Sequence, residues 1–212
     1  EALTKVIEIH LQKEHWNKAI PLLERLELEG NFAENILFAQ SNLMKGYYEA
    51  AKFTKAAAYA EKVLQQNKIS KAVEYDAKII IARTAYKTGD LQTAQEFYFT
   101  VEQNATGEVK AEALYFNAFF LNSNKEYEAS NKTIQNLSAN YSAYKFWGAK
   151  ALVLMAKNYY SLQEVYQATY ILESVIKNFS NFEEIVSEAT TQLENIKKEE
   201  AKTNTSVKAK NK

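Results

Sequence analysis

Few residues in this 212-residue chain have the type and spacing for catalysis. The two histidines, His10 and His15, stand five apart. They share neither one helical face nor the spacing of a zinc signature, and read as surface or helix-end side chains. Cysteine is absent, which excludes thiol catalysis, disulfides and thiolate-bound metals together. The neighbours Glu183-Glu184 and Glu199-Glu200 supply paired carboxylates, the residue types of general acid and base work, but they fall on the outer side of a polar helix with no pocket in view. The five glycines form no phosphate-cradling loop: Gly30 and Gly89 are turn residues, and Gly46, Gly107 and Gly148 stand alone. Six Asn-x-Ser/Thr triplets, beginning at Asn104, Asn131, Asn136, Asn140, Asn178 and Asn204, follow from an Asn-rich helical chain, and Asn131 and Asn136 fall mid-helix, where no glycan acceptor is expected. The expectation is a chain without catalysis, cofactor or metal.

The elements that carry these residues repeat. The turn Lys87-Thr88-Gly89-Asp90-Leu91-Gln92-Thr93-Ala94 recurs in pattern four more times, anchored on the apolar residues Trp16, Phe53, Leu91, Tyr127 and Val165, at intervals of 37, 38, 36 and 38 residues. Three after each anchor is a small residue, Ala19, Ala56, Ala94, Ser130 and Ala168. Seven after are Leu23, Ala60, Tyr98, Ile134 and Leu172, and ten after are Leu26, Val63, Val101, Leu137 and Val175. These offsets put all four on one helical face, with the small residue where a partner helix approaches. Nine before the anchors stand Ile7, Met44, Ala82, Ala118 and Ala156, so each unit reads helix, turn, helix.

A period of this kind resembles the tetratricopeptide repeat (TPR) family, the match being best at Gly89-Asp90-Leu91-Gln92-Thr93-Ala94. The units are longer than that family's 34 residues and lack its closing proline. The resemblance implies an all-α, right-handed superhelical solenoid of antiparallel helix pairs. Five pairs are expected over residues 1–180, the first truncated, with second helices or whole units at about 14–27, 32–66, 70–104, 107–139 and 143–178. Ser180-Asn181-Phe182-Glu183 has the form of a capping box opening a terminal capping helix over 181–200, with Phe182, Ile185, Val186, Ala189, Leu193 and Ile196 on its inner stripe. The Lys/Asn-rich tail 201–212 is expected to be disordered. Pro21 is expected to kink its helix, Gly30 to make a left-handed cap, and Asn31 with Glu34 to form another capping box.

Aromatic neighbours come in pairs, Tyr47-Tyr48, Tyr115-Phe116, Phe119-Phe120 and Tyr159-Tyr160. Adjacent helical residues point about 100° apart, so one ring of each pair can face the core while the other looks to the concave side. Five before the anchors sit Tyr48, Tyr86, Asn122 and Tyr160, a position that lines the concave groove in the family the chain resembles; eight before are Lys45, Arg83, Phe119 and Lys157. With Tyr115 these residues outline a groove of tyrosines and cations suited to an extended or helical peptide of some acidic character. Tyrosines that simply complete wide apolar faces are the competing explanation. The carboxylate clamp of the family's chaperone-binding members is not reproduced, since Ser41, Lys45, Ile80, Glu112 and Phe116 occupy its places.

Zero formal net charge argues against nucleic acid or an acidic membrane surface as partner. The longest apolar runs, such as 151–156, fall far short of the roughly 20 residues that insert across a bilayer. Glu1-Ala2-Leu3 reads as mid-helix, so the chain is expected to be part of a longer protein. The stretch Leu172-Glu173-Ser174-Val175-Ile176-Lys177-Asn178-Phe179 before Ser180 resembles repeats of bacterial cell-envelope proteins, which implies a periplasmic or outer-membrane-associated location, with the cytoplasm as the other reading. The function expected is a scaffold for a protein or peptide partner. Two rivals are a spacer or oligomerisation arm of a larger repeat protein, and a regulatory domain attached to an upstream catalytic domain.

Overall fold

A computed structural model describes residues 2–210, and from residue 203 onward the backbone alone. Among the described residues there are eleven α-helices and no strand: α1 (Ala2–Gln12), α2 (Trp16–Glu29), α3 (Ala33–Glu49), α4 (Phe53–Leu64), α5 (Lys71–Thr88), α6 (Leu91–Asn104), α7 (Gly107–Ser123), α8 (Tyr127–Asn140), α9 (Lys145–Ser161), α10 (Val165–Asn178) and α11 (Glu183–Lys210). The chain forms two compact units, Glu1–Ala105 with α1 to α6 and Thr106–Lys212 with α7 to α11. In the first, α1/α2, α3/α4 and α5/α6 pack as pairs, α2 lies against α3, α4 against α5, and α3 touches α5. In the second, the pairs are α7/α8 and α9/α10; α8 packs on α9, α10 on α11, and α7, α9 and α11 are successive neighbours.

All five anchors are the first residues of second helices, and one turn geometry puts them there. Two residues before each anchor the backbone is left-handed: Glu14 (φ 53°), Ala51 (54°), Gly89 (85°), Lys125 (65°) and Gln163 (65°). The next N–H reaches back across the helix end, from His15 to the His10 carbonyl (2.9 Å), Lys52 to Tyr47 (2.8 Å), Asp90 to Ala85 (2.9 Å), Glu126 to Leu121 (2.9 Å) and Glu164 to Tyr159 (2.8 Å). That bond, with the one from the left-handed residue itself to a carbonyl three residues back, is a Schellman closure, which satisfies carbonyls the helix end would orphan. Only Gly89 occupies the position without a Cβ penalty. Its neighbour Asp90 caps α6 by accepting from the Thr93 N–H at 3.1 Å, and the bonds from Thr93 hold its carboxyl below the usual carboxylate range.

Behind the turns the repeat positions form the cores. Ala19, Ala56, Ala94, Ser130 and Ala168 are fully buried, as are Ile7, Met44, Ala82, Ala118 and Ala156. The residues seven and ten after the anchors are all buried too. Each large apolar side chain so buried contributes about 1.5–3 kcal/mol, and the small residues let helices close to the distance at which those side chains interlock. Gly46 marks a close approach of α3 to α2, because a Cβ there would stand 2.8 Å from the Trp16 ring and 3.1 Å from Ile20.

Local expectations fare less well at helix ends. Gly30 is extended (φ −69°, ψ 119°) rather than left-handed. Its missing side chain serves contact instead, since a Cβ would lie 2.7 Å from the Leu26 carbonyl oxygen. The Asn31–Glu34 box does not form: Phe32 is the cap, and its carbonyl accepts from Asn35 (3.0 Å) and Ile36 (3.2 Å). The Ser180 box shifts likewise, α11 starting at Glu183 with the Phe182 carbonyl accepting from Ile185 and Val186 at 3.0 Å. Helix α2 runs through Pro21 as one element. Helix α11 continues past residue 200 to Lys210, with no proline or glycine to stop it and Lys202 bonded to Glu199 at 2.8 Å; residues 211 and 212 of the expected tail lie outside the described residues.

Candidate functional site

The positions eight and five before each anchor share one face of the first helices, being three residues apart. From α3 onward every one of them is half-exposed: Lys45 and Tyr48, Arg83 and Tyr86, Phe119 and Asn122, Lys157 and Tyr160. In the first unit the Arg83 guanidinium lies 5.9 Å from the Tyr48 ring centroid, and Tyr48 packs on Phe53 at 5.8 Å. Lys45 pairs with Asp76 on α5. In the second unit Lys157 pairs with Glu188 on α11 at 2.7 Å, and Tyr160 borders a concavity of about 220 Å³ with Ser161, Gln192 and Ile196. Both pairings link a first helix to the next one over 31 residues, so two members of the expected cation row are already neutralised. Pairs this exposed are worth about 0–1 kcal/mol, and a partner's carboxylate can compete for the lysines.

Tyr115 does not join the row. It is 9 % exposed, set edge-on to Phe116 at 5.1 Å and against Trp147 of α9 at 5.6 Å, with the Lys150 ammonium 5.0 Å from its ring. The rule of one ring in and one ring out holds for Tyr47-Tyr48 and Phe119-Phe120; Tyr115 and Phe116 are both buried, and Tyr159 and Tyr160 are both half-buried. Asn122 faces inward in part, donating to Asn158 Oδ1 at 2.6 Å. Asn158, wholly buried, donates to Ser130 Oγ and Asn131 Oδ1 at 2.8 Å each, and Ser130 donates to the Ala118 carbonyl at 2.8 Å. This closed network replaces apolar packing where α9 meets α8. Of the former clamp positions, Ile80, Glu112 and Phe116 are buried.

A second polar cluster in the first unit has no counterpart in the sequence reading. Tyr47 and Tyr59 stack with centroids 5.5 Å apart. The Tyr47 hydroxyl donates to Glu24, and the Tyr59 hydroxyl to Glu27 Oε2 at 2.7 Å. Lys62 (3.1 Å) and Gln40 (2.9 Å) both donate to Glu27 Oε1. Burial pushes the Glu27 carboxyl up, but the bonds from Gln40, Tyr59 and Lys62 outweigh it and hold the group below its ordinary value. Burial first and the glutamate partners second raise both phenols well above theirs, so both remain donors. The hydrogen-bonded partners lie 13 to 35 residues apart, beyond any local spacing rule.

The histidine rings approach to 6.0 Å because the Leu11–Glu14 turn folds His15 back toward the end of α1. Among the described residues no group of three His, Cys, Asp or Glu could hold a metal ion, and no helix is long and apolar enough to cross a membrane.

The solved structures similar to this chain share its architecture. One, a TPR protein named YrrB and described as having an unusual peptide-binding site, superposes with a TM-score of 0.63 at 14% identity, over 90% of this chain and 98% of its own. Another, a putative kinesin light chain of Podosopora anserina with nearly identical TPR-like repeats, gives 0.58 at 15% identity, over 82% of this chain and 92% of its own. The chain has the tetratricopeptide-repeat fold. No family model matches its sequence, and no curated protein matches it. The TPR match rests on geometry, on the helix pairs and their common turn.

Proposed function

We propose that this TPR chain is a non-catalytic scaffold that holds a peptide or protein partner on the half-exposed first-helix face. The observation that carries the reading is that positions eight and five before the anchors are half-exposed in every first helix from α3 to α9, while positions nine and seven before the anchors in the same helices are buried. Tyr48, Arg83 and Tyr86 are its contact residues in the first unit, and Phe119, Lys157 and Tyr160 in the second. Tyrosine offers large contact area at low entropic cost and arginine supplies directional hydrogen bonds, the composition of binding hot spots. The resemblance of residues 172–179 to envelope repeats supports a bacterial periplasmic or outer-membrane location, which cell fractionation tests.

Affinity purification from the native cell, with the parent beside a Tyr48→Ala, Tyr86→Ala, Tyr160→Ala variant of unchanged melt, decides the matter. Partners retained by the parent and lost by the variant are expected. Equal recovery by both removes the face from the function and leaves a spacer or an attached regulatory domain.

A further inference from the structure

The first unit contains a concavity of about 580 Å³ on other residues than the first-helix face, between α2 and the turn joining α3 to α4. Its size is that of small-molecule sites, roughly 300–1,000 Å³. Trp16 gives it an accessible aromatic wall, with Ile20 and Tyr47 buried behind it. Asn17, Pro21 and Glu24, spaced four and three apart on α2, line it as well. Pro21 has no N–H, so the Asn17 carbonyl loses its helical partner and leaves an acceptor on that wall. Across from it stand Lys52 and Lys55, whose ammonium groups lie 5.9 and 4.9 Å from the Tyr47 ring centroid. Lys55 donates to the Tyr47 hydroxyl at 3.5 Å, and among the described residues neither lysine has a carboxylate within ion-pair distance. Glu24 is occupied by the Tyr47 hydroxyl, and Glu49 is exposed at the rim.

Two cations without a carboxylate at ion-pair distance among the described residues, two carboxylates, an acceptor without its helical partner and the Trp16 ring make a lining that is neutral in sum and carries both signs of charge. We propose that this cavity binds a small zwitterion with an apolar side chain, an apolar α-amino acid or dipeptide. Its carboxylate meets Lys52 and Lys55, its ammonium meets Glu49 and the Asn17 carbonyl, and its side chain lies on Trp16. A purely anionic ligand is opposed by Glu24 and Glu49, and a purely cationic one by the two lysines. The proposal is independent of the first-helix face, with which it shares no residue.

The test is calorimetric titration of the whole chain with L-phenylalanine and with L-leucyl-L-phenylalanine, each beside its N-acetyl and methyl-ester forms, together with the shift of the Trp16 indole N–H resonance. Saturable binding of either zwitterion, weakened at least tenfold by blocking either charge, is expected; which of the two saturates tells a free amino acid from a peptide source. Lys52→Gln with Lys55→Gln, both exposed, removes binding without moving the melt, while Pro21→Ala raises the melting temperature yet weakens binding several-fold. The proposal is overturned if neither compound saturates below about 10 mM, if the blocked forms bind equally, or if the double-lysine variant binds like the parent.

Discussion

Four of the five turns hold a residue with a side chain in the left-handed region, Glu14, Ala51, Lys125 and Gln163, where only Gly89 is unstrained. An L-residue there costs roughly 1–2 kcal/mol, part of which glycine returns through the entropy of the unfolded chain. Replacing Lys125 or Gln163 by glycine is therefore expected to stabilise the protein by about 0.5–1 kcal/mol, read as a higher urea midpoint at unchanged slope. The reverse holds at Gly46: alanine gains helix propensity but drives a Cβ into Trp16, and a loss of about 1–3 kcal/mol is expected by the same measurement. Asn158→Ala strips partners from Ser130, Asn131 and Asn122 at once, and a loss of about 2–4 kcal/mol follows from leaving buried groups unsatisfied. Glu27 sets a pH dependence. Its folded value lies below the ordinary 4.5, so its contribution is complete above that value and is lost as pH falls through the folded one. Melts between about pH 6 and 3 are expected to show a shallower acid-side decline in Glu27→Gln than in the parent, and equal declines would show that the Gln40, Tyr59 and Lys62 bonds do not couple to folding.

Helices are where sequence reasoning worked best, and the reason is periodicity. A second helix must put its anchor, small, apolar and aliphatic residues on one stripe, and that stripe is visible without any partner present. Helix ends were read less well, because a cap is chosen by where the next helix must go: Gly30 turned out extended, and Phe32 and Phe182 supplanted the expected polar caps. Helix α11 illustrates both points. Ile185, Ala189, Leu193 and Ile196 are buried, and beyond Ile196 no residue as far as Lys202 is. Ending the chain after Ile196 removes the exposed Lys197–Glu173 pair, worth about 0–1 kcal/mol, so the cooperative helical melt is expected to persist with little change in midpoint. A lost melt would show that the remainder of α11 holds the fold.

Within each unit, stability is set by nearest neighbours, since each helix pair touches chiefly the next. Leu172→Ala, at a fully buried position of α10, is expected to cost about 2–5 kcal/mol and to speed hydrogen exchange in α9 to α11 while α2 to α4 keep their protection. Uniformly faster exchange throughout would mean that the two units unfold as one. The amino-acid sequence by itself determined the all-helical repeat, its five anchors, its buried stripes and the half-exposed setting of Lys45, Tyr48, Arg83, Tyr86, Phe119, Asn122, Lys157 and Tyr160, each pair on one face of its own helix, because period and offset act within a helix or between equivalent ones. Only the tertiary structure decided what those side chains touch. It buried Tyr115 against Trp147, turned Asn122 toward Asn158, paired Lys45 and Lys157 with carboxylates 31 residues on, and assembled the Glu27 cluster and the Pro21 cavity. Such contacts join residues from different helices, and their geometry depends on how closely small residues such as Ala56 and Gly46 let those helices pack, a distance that no single helix carries in its own pattern.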